Sequence, residues 1–148
     1  MKKPIFRNEE EIQQVRVSRP GSDGYALFRM VFDPERGETI SAVLGVHEHP
    51  PGIEPIAPHC HNEVEEAVHI ISGEGTVKLG EDPHKMEGYN FCAGSCWYVP
   101  PGCYHQIINT GDLPIKMVVS YFRNDGKPIS HRLVSEELTV VELNREQL

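Results

Sequence analysis

The sequence predicts an all-β domain, a sandwich or barrel of short strands. Three observations point there. The apolar residues come in runs of about four to eight, rich in Val, Ile, Phe, Tyr and Thr, as half-buried strands require. The 13 Gly and 12 Pro are spread along all 148 residues and punctuate those runs. Helical periodicity is scarce: "NEEEIQQV" (8–15) and "SEEL" (135–138) are the segments that offer a helical turn or two.

In chain order, the strand candidates are "YALFRMVF" (25–32), "ISAVLGV" (40–46), "EAVHIIS" (66–72), "GTVKLG" (75–80), "SCWYVP" (95–100), "HQIIN" (105–109), "IKMVVSYF" (115–122) and "LTVVEL" (138–143). Between them lie "DPERGE", "HPPGIEP", "SGEG", "GEDPH", "PPG" and "NTGDLP". These are turn sequences, because Gly reaches positive φ, Pro fixes φ, and Asn and Asp bond back to their own backbone. Many short strands at regular spacing favour a closed or two-layered β architecture. No linker or second composition appears, so residues 1–148 are read as one domain.

Apolar content of 39% and charged content of 24% suit a globular chain. The net charge of -8 argues against nucleic acid or an anionic membrane surface as partner, since both need a basic face. The longest apolar runs are too short to span a bilayer as a helix. "MKKPIFRNEEE" lacks the apolar stretch of an export signal, so a cytoplasmic location is expected. Cys60, Cys92, Cys96 and Cys103 are then expected as free thiols, buried like small apolar residues. The C-x3-C-x6-C spacing of the last three matches no common zinc knuckle.

The chemistry concentrates in "APHCHNEVEEAVHIISGEG" (57–75). His59 and His61 are spaced i, i+2, which on a strand puts both imidazoles on one face. Such a pair is a ready chelate, and a glutamate past the turn can add an oxygen. A second stretch, "GSCWYVPPGCYHQIIN" (94–109), brings His105 to the start of another strand.

In both stretches the chain resembles the cupin superfamily. One family pattern is H-x-H, three or four residues, Glu, six residues, Gly; it reads here as His59, His61, Glu66 and Gly73. The other is Gly, five residues, P-x-G, two residues, His, three residues, Asn; it reads as Gly94, Pro100, Gly102, His105 and Asn109. The resemblance covers roughly residues 40–122 and implies a double-stranded β-helix, or jelly-roll, barrel with short N- and C-terminal extensions. It also implies one divalent transition-metal ion held by His59, His61, Glu66 and His105. The count back from Gly73 selects Glu66 over Glu65, and a one-residue shift on a strand reverses the face. "HEHPPGIE" (47–54) imitates the first half of the motif, but no glycine follows Glu54 at the required spacing. His47 and His49 are therefore expected to be solvated in a turn, with His49 able to reach the pocket mouth. His69, His84 and His131 are expected away from the metal.

Three imidazoles and a carboxylate are a borderline ligand set, compatible with Fe, Mn, Co, Ni, Cu or Zn. On a six-coordinate ion they leave two positions for a bidentate substrate, or for one substrate oxygen and dioxygen. Alternation places Arg29 with Tyr25, Leu27 and Val31, and Arg123 with Met117, Val119 and Tyr121. A guanidinium at the pocket would bind a substrate carboxylate. Tyr104, Tyr121 and His49 are the candidate general bases. Trp97, Tyr98 and Tyr104 flank the second motif and are expected to pack in the core. Three functions remain open: a dioxygenase-like oxidoreductase on a small, possibly anionic, oxygenated acid or carbonyl compound; an isomerase or lyase on a sugar or hydroxy acid; and a non-catalytic ligand-binding or sensing module. A DNA-binding regulator is disfavoured, as no helix-turn-helix segment precedes the barrel. The resemblance further implies a homodimer, in which an N-terminal strand would cover an edge of the partner's sheet.

Overall fold

The computed structural model describes residues 3–129 and 139–142, the last four as backbone. Its strands are β1 (Gln14–Ser18), β2 (Tyr25–Phe32), β3 (Ala42–His49), β4 (His59–Cys60), β5 (Glu65–Ser72), β6 (Gly75–Gly80), β7 (Glu87–Phe91), β8 (Cys96–Val99), β9 (Tyr104–Asn109), β10 (Ile115–Phe122) and β11 (Thr139–Glu142). Every strand pairing is antiparallel. One sheet runs β11-β1-β2-β3-β10-β5-β8, and the other runs β4-β9-β6-β7. This is the all-β, jelly-roll architecture that the strand pattern and the two motifs anticipate. No helix among the described residues is long and apolar enough to cross a membrane.

The core lies between the sheets, and alternation builds it. On β10, Ile115, Met117, Val119 and Tyr121 are buried while the residues between them are half-exposed. On β5, Glu66, Val68 and Ile70 point inward, whereas Ile71 is exposed. Val43, Val64, Val77, Phe91 and Ile129 complete the main cluster. Each such buried side chain contributes about 1.5–3 kcal/mol by leaving water. A smaller cluster of Val17, Ala26, Phe28 and Ile56 closes the other end. Gly73 ends β5 at φ 87°, where a Cβ would sit 2.8 Å from the Ile115 backbone. Both the conformation and the close approach require glycine.

The N-terminal segment differs from expectation. Asn8 caps a short 3₁₀ turn, Glu9–Glu11, by accepting from the Glu10 N–H. The chain then turns to strand at Gln14, because Val15 and Val17 alternate with polar neighbours and Val17 is buried. This strand pairs with β2 and β11 of its own chain. The edge strand β7 gave no sequence signal, since only Phe91 of its five residues is buried. Cys92 and Cys96 are exposed free thiols instead of buried ones, and Cys60 and Cys103 are half-buried. Trp97 packs on Phe91 with ring centroids 5.2 Å apart, but Tyr98 is half exposed. "SEEL" and His131 lie outside the described residues.

Candidate metal centre

Four segments bring the motif residues together. β4 and β9 pair so that His59 lies directly opposite His105. The P-x-G turn is tied to the first motif by the Gly102 N–H, which donates to the His61 carbonyl at 2.8 Å. β5 crosses from the other sheet and sets Glu66 between Tyr121 on β10 and Val99 on β8. The ligand nitrogens of His59, His61 and His105 all lie within 4.8 Å of one another. Glu66 Oε2 is 3.4 Å from both His61 Nε2 and His105 Nε2. Glu65 faces the opposite way and accepts from the Tyr98 hydroxyl at 2.9 Å.

The electrostatics suit a cation. His61, Glu66 and His105 are 8%, 2% and 3% exposed. Burial alone pushes the Glu66 carboxyl up, but His105, His61 and His59 outweigh it and hold it at about 2. Burial pushes His59 well below its ordinary value, and also lowers His105. The cluster thus sets the Glu66 carboxylate among imidazoles, of which burial keeps His59 and His105 neutral, a donor set a transition metal prefers. His59 Nδ1 lies 3.0 Å from the Ala57 carbonyl, an acceptor only, so Nδ1 donates and Nε2 keeps its lone pair free. His61 Nε2 and Glu66 Oε2 are buried with no hydrogen-bond partner. Each such orphan costs about 1–3 kcal/mol, a cost an ion removes. The residues therefore fit a bound metal.

The cluster opens on a cavity of about 30 Å³ walled by Phe28, Ile56, Ile107 and Val119, with His47, His49 and Tyr121 as the further polar lining. Burial, then the nearby Glu66 charge, raises the Tyr121 hydroxyl well above its usual range. His47 and His49 are not solvated in a turn. They occupy the last turns of the β3 pleat, before Pro50, and both line the cavity. His47 is 3% exposed and stacks on Phe28, with ring centroids 3.5 Å apart and an interplanar angle of 17°. Burial lowers His47 to about 3 and His49 to about 4. Alternation of Val43, Gly45, His47 and His49 on one face was the available signal; the following Pro-Pro-Gly obscured it.

Neither candidate arginine lines the cavity. Arg29 donates to Glu48 at 3.0 Å. Arg123 lies past the end of β10 and bonds Glu63 at 2.8 Å and Asp125 at 2.7 Å. Tyr104 pairs with Cys60 on the neighbouring strand and is not among the lining residues. His69 lies on the outer face against Cys96, and His84 is exposed. The cation that sequence reasoning missed is Arg19, whose charge helps to keep His59 and His105 neutral.

A family model described as the cupin domain matches residues 45–121. The Bacillus subtilis (strain 168) protein YrkC, itself uncharacterised, is 35% identical over 69 residues, covering 46% of this chain and 37% of YrkC. The match thus spans little more than a third of that relative. Among solved structures, a predicted oxalate decarboxylase from Thermotoga maritima superposes with a TM-score of 0.67 at 21% identity, covering 80% of this chain and 99% of that one. An oxalate oxidase superposes at 0.62 and 19% identity, covering 86% and 64%. A Klebsiella pneumoniae protein with a double-stranded β-helix domain covers 95% and 100%, at 0.59 and 20% identity.

Proposed function

The chain belongs to the cupin family, and from that premise we propose that it is a metal-dependent enzyme of the dioxygenase or oxidoreductase kind, acting on a small oxygenated organic acid or carbonyl compound. One observation carries the reading: three imidazoles and Glu66 converge on a small cavity, with His61 Nε2 and Glu66 Oε2 buried 3.4 Å apart and without a hydrogen bond. His59, His61, His105 and Glu66 would hold the ion. When bound, such an ion polarises a substrate oxygen as a Lewis acid and offers a site for dioxygen. The protein supplies the rest. Phe28, Ile56, Ile107 and Val119 keep bulk water from the reacting atoms. The Tyr121 hydroxyl stands beside Glu66 with its proton retained, as a hydrogen-bond donor. The small cavity favours small substrates. The likeness to an oxalate decarboxylase and an oxalate oxidase makes small organic acids the first compounds to assay.

A second reading, an isomerase or lyase, draws on His49, whose uncharged imidazole on the cavity wall fits a general base. Oxygen separates the two. Turnover that persists unchanged under anaerobic conditions overturns the dioxygenase and supports the lyase. The metal itself is tested by elemental analysis of protein purified without added ions. One equivalent of a transition metal supports the reading; none, even after dialysis against saturating divalent ion, overturns it. A single domain, a two-fold dimer and a cytoplasmic location belong to the same proposal, and light scattering giving the monomer mass would remove the dimer.

A further inference from the structure

The cavity has a second polar half, on the opposite sheet from His59 and His105. Gly45, His47 and His49 share one face of β3, and the two histidines line the cavity. His47 stands outside the group of mutually close ligand atoms formed by His59, His61 and His105. Its Nε2 is buried and makes no hydrogen bond. Nothing about its setting is loose. Phe28 is stacked on its face at 3.5 Å between centroids. Below its edge lies the bare Gly45, where a Cβ would come within 3.0 Å of Nε2. A rigidly held, buried imidazole nitrogen without a partner costs about 1–3 kcal/mol and contributes no bond to the fold. Such groups in native structures call for an explanation, and a ligand contact is one.

Taking the metal reading above as its basis, we propose that His47 and His49 form a hydrogen-bonding subsite for an uncharged hydroxyl or carbonyl oxygen of the substrate. The substrate is then a small 2-hydroxy or 2-oxo acid, with its carboxylate on the ion that His59, His61, His105 and Glu66 would hold and its neighbouring oxygen at His47 and His49. Charge and size select this class. Glu66 shares the cavity and disfavours a second anionic end. Arg29 and Arg123 are bonded to Glu48, Glu63 and Asp125, away from the lining. A cavity of about 30 Å³ favours a short substrate over a long one. A neutral imidazole can donate to a carbonyl or accept from a hydroxyl, so it reads an uncharged oxygen in either oxidation state.

Glycolate and acetate share a carboxylate and differ by one hydroxyl. The test titrates each into the cobalt(II)-loaded full chain, following the visible absorption of cobalt, for wild type, His47→Phe and His49→Leu. His47→Phe keeps a flat ring on Phe28 and removes the nitrogens. The expected result is glycolate bound about tenfold more tightly than acetate by wild type, with that ratio reduced about fivefold in each variant. Acetate affinity and cobalt stoichiometry should stay as in wild type. A ratio unchanged in both variants overturns the subsite and leaves the metal centre standing. Failure of wild type to take up cobalt overturns the metal centre, and the subsite with it. If His47→Phe does not fold, the His49→Leu ratio decides by the same criterion.

Discussion

Two His-x-His pairs face the same cavity from opposite sheets, and they have become different things. The pair at 59 and 61 sits on and just past the two-residue strand β4, so its rings can turn toward His105 and the Glu66 carboxylate. The pair at 47 and 49 ends the eight-residue strand β3, where the backbone is fixed by β2 on one side and β10 on the other. There His47 meets an aromatic face instead of an oxygen. The same spacing therefore gives a set of converging ligand atoms that could hold an ion in one place, and a ring clamped on an aromatic face in the other. Motif spacing supplies ligands; the neighbouring strand decides what they bind.

The sharpest way to break this contrast is metal uptake. Replacing His59, His61 or His105 by Ala should weaken metal binding by more than about 100-fold, since loss of even an outer-shell partner costs 10–100-fold. His47→Gln should leave the metal content, read by elemental analysis, as in wild type. Equal loss in both sets would mean the two pairs share one ion. Next in size is the clamp. Phe28→Ala should lower unfolding free energy by about 3 kcal/mol in urea titration, because it empties the smaller core and frees the ring of His47. A change below about 1 kcal/mol would show the stack to be incidental.

Acid comes third. Unfolded, His47 titrates near 6.5, whereas burial holds the folded group at about 3. Between those values the unfolded chain binds the extra proton, so stability is full above pH 6.5 and is lost as pH falls toward 3. His47→Gln should flatten the stability–pH slope of metal-free protein in that window by about 1.4 kcal/mol per pH unit. An unaltered slope would place the proton elsewhere. The smallest effect is expected of Gly45→Ala, about 1 kcal/mol, as the added methyl crowds His47 Nε2. In the glycolate titration it should mimic His47→Phe in direction; no movement would separate ring position from ligand contact.

Much of this was legible beforehand. All eight apolar runs became strands within a residue or a few of their bounds, because alternation and turn chemistry are local; the eighth, "LTVVEL", is the strand Thr139–Glu142. Ile70 and Ile71 are both apolar, so the sequence alone does not say which faces in; the packed core takes Ile70 and leaves Ile71 outside. His47 was misread because prolines mark where a strand must stop, and here it stops one residue before them. Arg123 was misread for the converse reason. Alternation was carried past the end of β10, where the chain turns and Asp125 and Glu63 capture the guanidinium. Arg19 had no local signal at all, since its nearness to His59 and His105 is purely tertiary.

The neighbouring of β1 and β11 sets the order of assembly. Val15 meets Glu142, so β1 waits for a strand far along the chain before its outer hydrogen bonds close. Everything between must be threaded first, and contacts of such sequence separation slow folding. Until β11 is in place, the Gln14–Ser18 ribbon presents unsatisfied amides and carbonyls along one side, a template on which a nascent chain can mispair with its neighbour.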